Sequence, residues 1–235
     1  AIASIIARQQ ELRILEKLYR SGKPEFLAIY GRRRIGKTFL IREFFNNKGI
    51  YFHLTGIKDA TVRKQLRNFV DEFKRVFGYL PTQLPKNWHD AFLLLREAID
   101  AMSSGSERII LFFDELPWLA KHRSGFLQDL DHFWNRHMSS NNRVILIVCG
   151  SAAAWMIKKV VRDKGGLHGR LTATIRLMPF DLNETELFLK SQDVNLDRTQ
   201  IIDLYMALGG IPKYLTYVER GLSASQIINK VCFKG

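Results

Sequence analysis

Residues 31–38, Gly31-Arg32-Arg33-Arg34-Ile35-Gly36-Lys37-Thr38, stand between a short apolar run, FLAIY, and a helix-forming run, TFLIREFF. The pattern GxxxxGK(S/T) is filled at every fixed position, and both flanks are those a strand-loop-helix unit requires. Glycines at that spacing free the backbone for turns in which successive N–H groups surround an anion. The N-terminus of the following helix adds its positive end. The run therefore implies a nucleotide phosphate cradle extending from Gly31 to Phe39. Lys37 would reach the β- and γ-phosphates and the Thr38 hydroxyl would ligate Mg2+.

Around this unit the chain alternates apolar strand-sized runs with amphipathic stretches, the signature of an α/β layered fold with a mostly parallel sheet. A first helix is predicted over 10–19, where Leu12, Leu15 and Leu18 recur at helical spacing, with Ser21-Gly22-Lys23-Pro24 stopping it. Strands are predicted at 26–30, 49–54, 108–114, 143–150 and 172–180, the last closed by Pro179. Helices are predicted at 38–45, 60–77, 88–102 and 124–137. After residue 180 only helices are expected, at 183–190, 197–208, 211–219 and 223–231, so a lobe boundary is set near Phe180, separating 1–180 from 181–235. Phe44, Phe45, Phe69, Phe73 and Phe77 lie at helical spacing and are expected in the core.

A nucleotide hydrolase needs an acidic partner for the cradle. ILFFDEL supplies it as Asp114-Glu115 at the end of an apolar strand: Asp114 for the magnesium shell, through water, and Glu115 to orient and activate the attacking water. The next strand ends in Cys149-Gly150-Ser151. If that strand lies between the other two, Ser151 points toward the γ-phosphate as a sensor; the alternative is a helix N-cap for AAAWMIKKV. Arg170, in the loop GGLHGRLT, could stabilise transition-state charge in cis or reach a neighbouring subunit as an arginine finger; the alternative is a surface arginine. The six histidines make no defensible ligand spacing, so neither a catalytic histidine nor a structural metal is assigned.

With 235 residues and 46% hydrophobic content, the chain can form one sizeable core plus a small appended module. Its longest apolar runs are strand-sized, which excludes a membrane span. The N-terminus, AIASIIARQQELRIL, has no basic segment ahead of its apolar stretch and does not read as a signal peptide; its lack of Met suggests trimming or a boundary. Two cysteines, Cys149 and Cys232, form no disulfide framework, and a reducing cytoplasm is the natural location. A net charge of +13 makes nucleic acid an open partner, although Arg32, Arg33 and Arg34 could also serve phosphates of a nucleotide alone.

Taken together, IIARQQEL, GRRRIGKT, FFDELPWL, CGSAAAWM, GGLHGRLTATIRLMPF and GGIPKYL resemble AAA+-related ATPases of the STAND class, especially the archaeal-type ATPases that also occur in bacteria. The resemblance covers nearly the whole chain. It implies a P-loop NTPase core with sheet order 5-1-4-3-2, followed by a small helical lid. It further implies that Ala7 and Arg8 lie in a segment beside the adenine, and that Pro212 packs near bound ATP or ADP. Read from the residues alone, GGIPKYL is a helix break with Pro at a first-turn position. The family generally continues into a winged-helix segment and often a nuclease-like domain, so an effector domain or protein partner is expected beyond this chain, and an oligomer remains open.

The functions left in contention are a slow, nucleotide-driven regulatory switch, a DNA-acting loader or motor, and a small-molecule kinase. The acid pair and the sensor strand suit water attack better than transfer to a metabolite. Guanine specificity is disfavoured, because Asn47-Lys48 is followed by Gly49-Ile50 rather than by a guanine-reading motif.

Overall fold

The computed structural model describes residues 7–102, 105–162, 167 and 169–233. Its five strands are β1 (Glu25–Tyr30), β2 (Ile50–Thr55), β3 (Ile109–Asp114), β4 (Val144–Gly150) and β5 (Ala173–Arg176). They pair in parallel in the order β2-β3-β4-β1-β5, the expected order read from the opposite edge. The three inner strands are buried almost without interruption, which is why their sequences are continuous apolar runs. The edge strands β2 and β5 carry exposed positions among buried ones.

The chain divides into two compact units, each described by itself. One comprises residues 14–30 and 45–176, and so contains the whole sheet. There α3 (Val62–Phe77), α4 (Trp88–Ala101) and α6 (Phe126–Arg136) pack an aromatic core with Phe52 and Phe113. Trp88 and Phe126 meet at 4.7 Å between ring centroids, and Phe92 and Phe133 at 5.0 Å. Each fully buried phenylalanine is worth about 1.5–3 kcal/mol of transfer free energy, so the phenylalanine-rich composition becomes core stability. Helix α3 is held at both ends: Thr61 accepts from the Lys64 N–H, and Gly78 closes it in the left-handed region at φ 82°.

The other unit comprises residues 7–13, 31–44 and 177–233. Its helices are α8 (Leu182–Ser191), α9 (Arg198–Leu208), α10 (Pro212–Leu215) and α11 (Ala224–Phe233). Their core is Phe180, Leu189, Ile201, Leu204, Leu215 and Ile227. Reciprocal capping boxes, Asp181 with Glu184 and Asp197 with Gln200, start α8 and α9.

The structure departs from the expected elements in three places. The fifth strand is four residues long rather than reaching Phe180, since the backbone leaves the ladder ahead of Pro179, which has no N–H to donate. The helix expected over 211–219 is only α10. The Thr216 hydroxyl donates to the Lys213 carbonyl, and the chain continues in tighter turns in which Tyr217 and Val218 donate three residues back. Two short helices, α5 (Leu116–Leu119) and α7 (Ala153–Met156), follow β3 and β4, and α7 runs into a wider π-turn over Ile157–Val161.

Candidate functional site

The phosphate loop begins where β1 ends. Tyr30 pairs with Gly150 at the end of β4, and the chain passes directly into Gly31. Gly31 has φ 151°, and a Cβ there would lie 2.3 Å from the Leu177 carbonyl oxygen and 2.6 Å from Ile35 Cδ1, so only glycine fits. Arg34 and Gly36 both take positive φ, 68° and 91°, which turns the backbone before α2 (Lys37–Phe45) starts. Lys37 is 5% exposed, and its Nζ donates to the Gly31 and Arg32 carbonyls at 2.9 and 2.7 Å. The ammonium is thereby held across the loop. Thr38 is half-buried at the first turn of α2, while Arg32, Arg33 and Phe39 are exposed.

Two other stretches of the same unit bear on this loop. Arg8 is buried; its Nη2 donates to the Ile35 carbonyl at 3.2 Å, and its guanidinium lies 4.5 Å above the Phe180 ring. Burial pushes the Arg8 guanidinium below the ordinary arginine range, opposed by Glu11 and Glu184. Ala7, at φ 66°, packs in the Phe180 cluster. From the GGIPKYL stretch, the Lys213 N–H donates to the Arg34 carbonyl at 3.3 Å, and Arg34 Nη1 donates to the Tyr214 hydroxyl at 3.1 Å. Pro212 opens α10, one residue before the first of these contacts. Gly210 permits the approach of this stretch to Phe180: the Phe180 N–H donates to its carbonyl at 2.7 Å, and a Cβ there would lie 2.0 Å from the Phe180 oxygen.

In the sheet unit, Asp114 ends β3 at 2% exposure. Its Oδ1 accepts from the Glu115 N–H at 2.8 Å, and its Oδ2 lies 3.5 Å from His53 Nε2. Glu115 has φ 50° and ψ 48°, a left-handed conformation that costs a non-glycine residue on the order of 1–3 kcal/mol and concentrates at functional sites. The Ser151 hydroxyl donates to Glu115 Oε1 at 2.8 Å. Because β4 lies beside β3, the ends of the two strands bring these side chains together. The N-cap of α7 is Ala152, with no side-chain cap bond, so the capping alternative for Ser151 is not what the fold uses. Arg170 is 47% exposed along its side chain, with Nε 3.6 Å from Asp131 Oδ1.

Over residues 5–218 the chain matches the family model described as an ATPase domain predominantly from Archaea. The chain belongs to that ATPase-domain family. An uncharacterized protein of Methanocaldococcus jannaschii is 26% identical over 214 residues, covering 91% of this chain and 44% of that one. The chain thus spans less than half the length of that relative. The Walker-type ATPase PABY2304 of Pyrococcus abyssi superposes with a TM-score of 0.61 at 20% identity, covering 98% of this chain and 69% of that one. The Aeropyrum pernix ORC2 protein, solved as ADPNP-ADP complexes, gives 0.68 at 15% identity, covering 98% and 68%. At these identities the two structures share the fold with the ATPase-domain chain.

Several residues around the acid pair escape sequence reasoning. His53 stacks on Phe112 at 4.5 Å and lies 3.2 Å from Thr55 Oγ1, so the second carboxylate oxygen of Asp114 faces a ring that reads in the sequence as an ordinary strand residue. Gln65, 1% exposed, donates to the carbonyls of Ile57 and Trp118 at 2.8 and 3.3 Å, tying the chain after β2 to the turn after β3. Gly56 is obligatory because a Cβ would lie 2.6 Å from the Glu115 oxygen. Glycine beside the end of β2 is the only one of these signals visible in the sequence. Among the described residues, no group of three or more His, Cys, Asp or Glu could hold a metal by itself, and no helix is long and apolar enough to cross a membrane.

Proposed function

We propose that this ATPase-domain chain binds ATP with Mg2+ and hydrolyses it slowly, as a nucleotide-dependent switch in which the helical lobe of residues 181–235 acts as the lid. The observation that supports the switch most directly is the pair of bonds between Arg34 of the phosphate loop and the Lys213-Tyr214 stretch. A change in how the loop holds phosphate is felt by α10 without an intermediary. Such coupling shifts the lid only if ATP and ADP interact differently with its two arrangements.

The residues fit their ligands chemically. The loop N–H groups and Lys37 would hold the phosphates, with Arg8, Ala7 and Pro212 on the adenine side. Thr38 and Asp114, the latter through water, offer the hard oxygen donors that Mg2+ takes alongside nucleotide phosphates. Mg2+, when held there, would supply charge neutralisation at the phosphates. Glu115 would orient the attacking water and accept its proton, while the Ser151 hydroxyl holds the Glu115 carboxylate at 2.8 Å. Arg170 would act on transition-state charge, in cis or across subunits. A reducing compartment suits the two cysteines, Cys149 and Cys232, which form no disulfide with each other.

Freshly purified protein is expected to carry ADP and release it slowly. Tyr214→Phe removes the bond from Arg34, worth about 0.5–1.5 kcal/mol, and Pro212→Ala frees the backbone at the first turn of α10, so each is expected to speed release several-fold. Denaturing the protein, identifying the released nucleotide and timing ADP dissociation from each variant makes the check. An empty wild-type site with equal, fast release from all three proteins would sink the lid-switch reading and leave the phosphate loop standing.

One observation favours a DNA-acting ATPase as the second reading. Residues 1–180 contain 30 Lys and Arg against 16 Asp and Glu, whereas residues 181–235 contain 6 against 7, so the basic excess lies wholly outside the lid. Salt-sensitive stimulation of turnover by duplex or single-stranded DNA would favour this reading, and indifference to DNA would favour the switch.

A further inference from the structure

The connection between α3 and α4 leaves three large apolar side chains in solvent: Tyr79 at 50%, Leu80 at 55% and Leu84 at 66% exposure. Single exposed apolar residues need no explanation, but a cluster of them within six residues marks a surface that another molecule covers. Leu84, the most exposed of the three, lines a cleft of about 560 Å³ between α3 and this connection. Leu66 and Val70, one helical turn apart and buried, form its floor, and Leu84 forms a wall. Arg63, Arg67 and Lys86, all exposed, stand around it.

The charge on this rim is one-sided. No Asp or Glu lines the cleft, and among the described residues none of the three cations forms an ion pair with a carboxylate. Asp90, the acid nearest in sequence to Lys86, has its Oδ2 accepting from the Lys86 backbone N–H at 3.0 Å. The nearby Arg75 and Glu72 pair with each other, and Arg63 and Arg67, at i and i+4, form a short cationic stripe beside the Leu66-Val70 floor that ends at Asp71, outside the cleft lining.

We propose that this cleft docks an acidic amphipathic helical segment of a partner protein. Aliphatic anchors at i and i+3 or i+4 would fill the hollow over Leu66 and Val70, and carboxylates flanking them would meet Arg63, Arg67 and Lys86. A single-stranded nucleic acid is a poorer occupant, because the apolar part of the lining is aliphatic and offers no aromatic face for a base, Tyr79 lying outside the lining and packing edge-on against Phe73. Charge steers the encounter and sets its salt dependence, while the apolar floor supplies selectivity for a patterned peptide over a uniform polyanion. The inference does not depend on how nucleotide is used.

The test is selection from a display library of random 16-residue peptides on the whole chain. Binding is then measured by fluorescence anisotropy for wild type, the double variant Arg63→Glu/Arg67→Glu and Leu84→Ser. Circular dichroism and ADP binding show that the variants are folded. The expected result is enrichment of net-negative peptides with apolar residues three or four apart. These should bind wild type at micromolar Kd, both variants at least tenfold more weakly, and wild type more weakly as salt rises. A poly-glutamate of the same length should bind at least tenfold more weakly than the selected peptides. Three outcomes would overturn the proposal: no selective enrichment, peptides indifferent to both variants, or poly-glutamate binding as well as patterned sequences. It would also fall if a 20-nucleotide single strand, or a second copy of the chain in sedimentation, engaged this face in place of peptide and was lost in the same variants.

Discussion

Lys37→Ala is expected to abolish productive MgATP binding, with turnover falling to background. The side chain is buried and held at 2.9 and 2.7 Å by the Gly31 and Arg32 carbonyls, so its charge already spans the loop where the phosphates of a nucleotide would lie. A hydrogen bond to a charged group is worth about 1.5–3 kcal/mol. Here the ammonium would meet two phosphates, so the combined loss puts binding beyond ordinary assay concentrations. Calorimetric titration with MgATP makes the measurement, with circular dichroism to show that losing the two carbonyl contacts has not unfolded the loop. Unchanged affinity and turnover would remove the phosphate-loop assignment.

Glu115→Gln should bind ATP as wild type does and hydrolyse it ~10²–10⁴-fold more slowly, the usual contribution of a positioned general base. The substitution is a clean one. Gln keeps an oxygen that can accept from the Ser151 hydroxyl, so the strained backbone at φ 50° and its partner are preserved and only the basicity is removed. Single-turnover hydrolysis with saturating MgATP separates this from a binding defect. Wild-type turnover in the variant would assign the water to another group. In the same assay Arg170→Ala should lower turnover more than affinity. An unchanged rate at every protein concentration would return Arg170 to the surface ion pair with Asp131.

The phosphate loop was legible because its chemistry is local. Two glycines, a lysine and a hydroxyl stand within eight residues between a strand and a helix, and Gly31 and Gly36 adopt the positive φ that the pattern requires. Parallel order was legible for a similar reason: strands buried on both faces must be continuously apolar, and helical runs between them leave little choice but crossovers. The short extent of α10 was less legible. Thr216 offers its hydroxyl to the Lys213 carbonyl, a competition between side chain and backbone that helical spacing does not register.

What the sequence determined by itself was therefore a list of chemical groups and the strand ends that carry them: Lys37 and Thr38 after β1, Asp114 at the end of β3 with Glu115 after it, Ser151 after β4. What only the tertiary structure decided was which of those groups touch. The Ser151 hydroxyl meets Glu115 because β4 pairs beside β3, His53 faces Asp114 across β2 and β3, and Arg34 bonds to Tyr214 across 180 residues of chain. Periodicity and spacing report on neighbours within a few turns of the backbone. A hydrogen bond between residues far apart in the chain depends on a sheet register and a packing arrangement that many side chains set together.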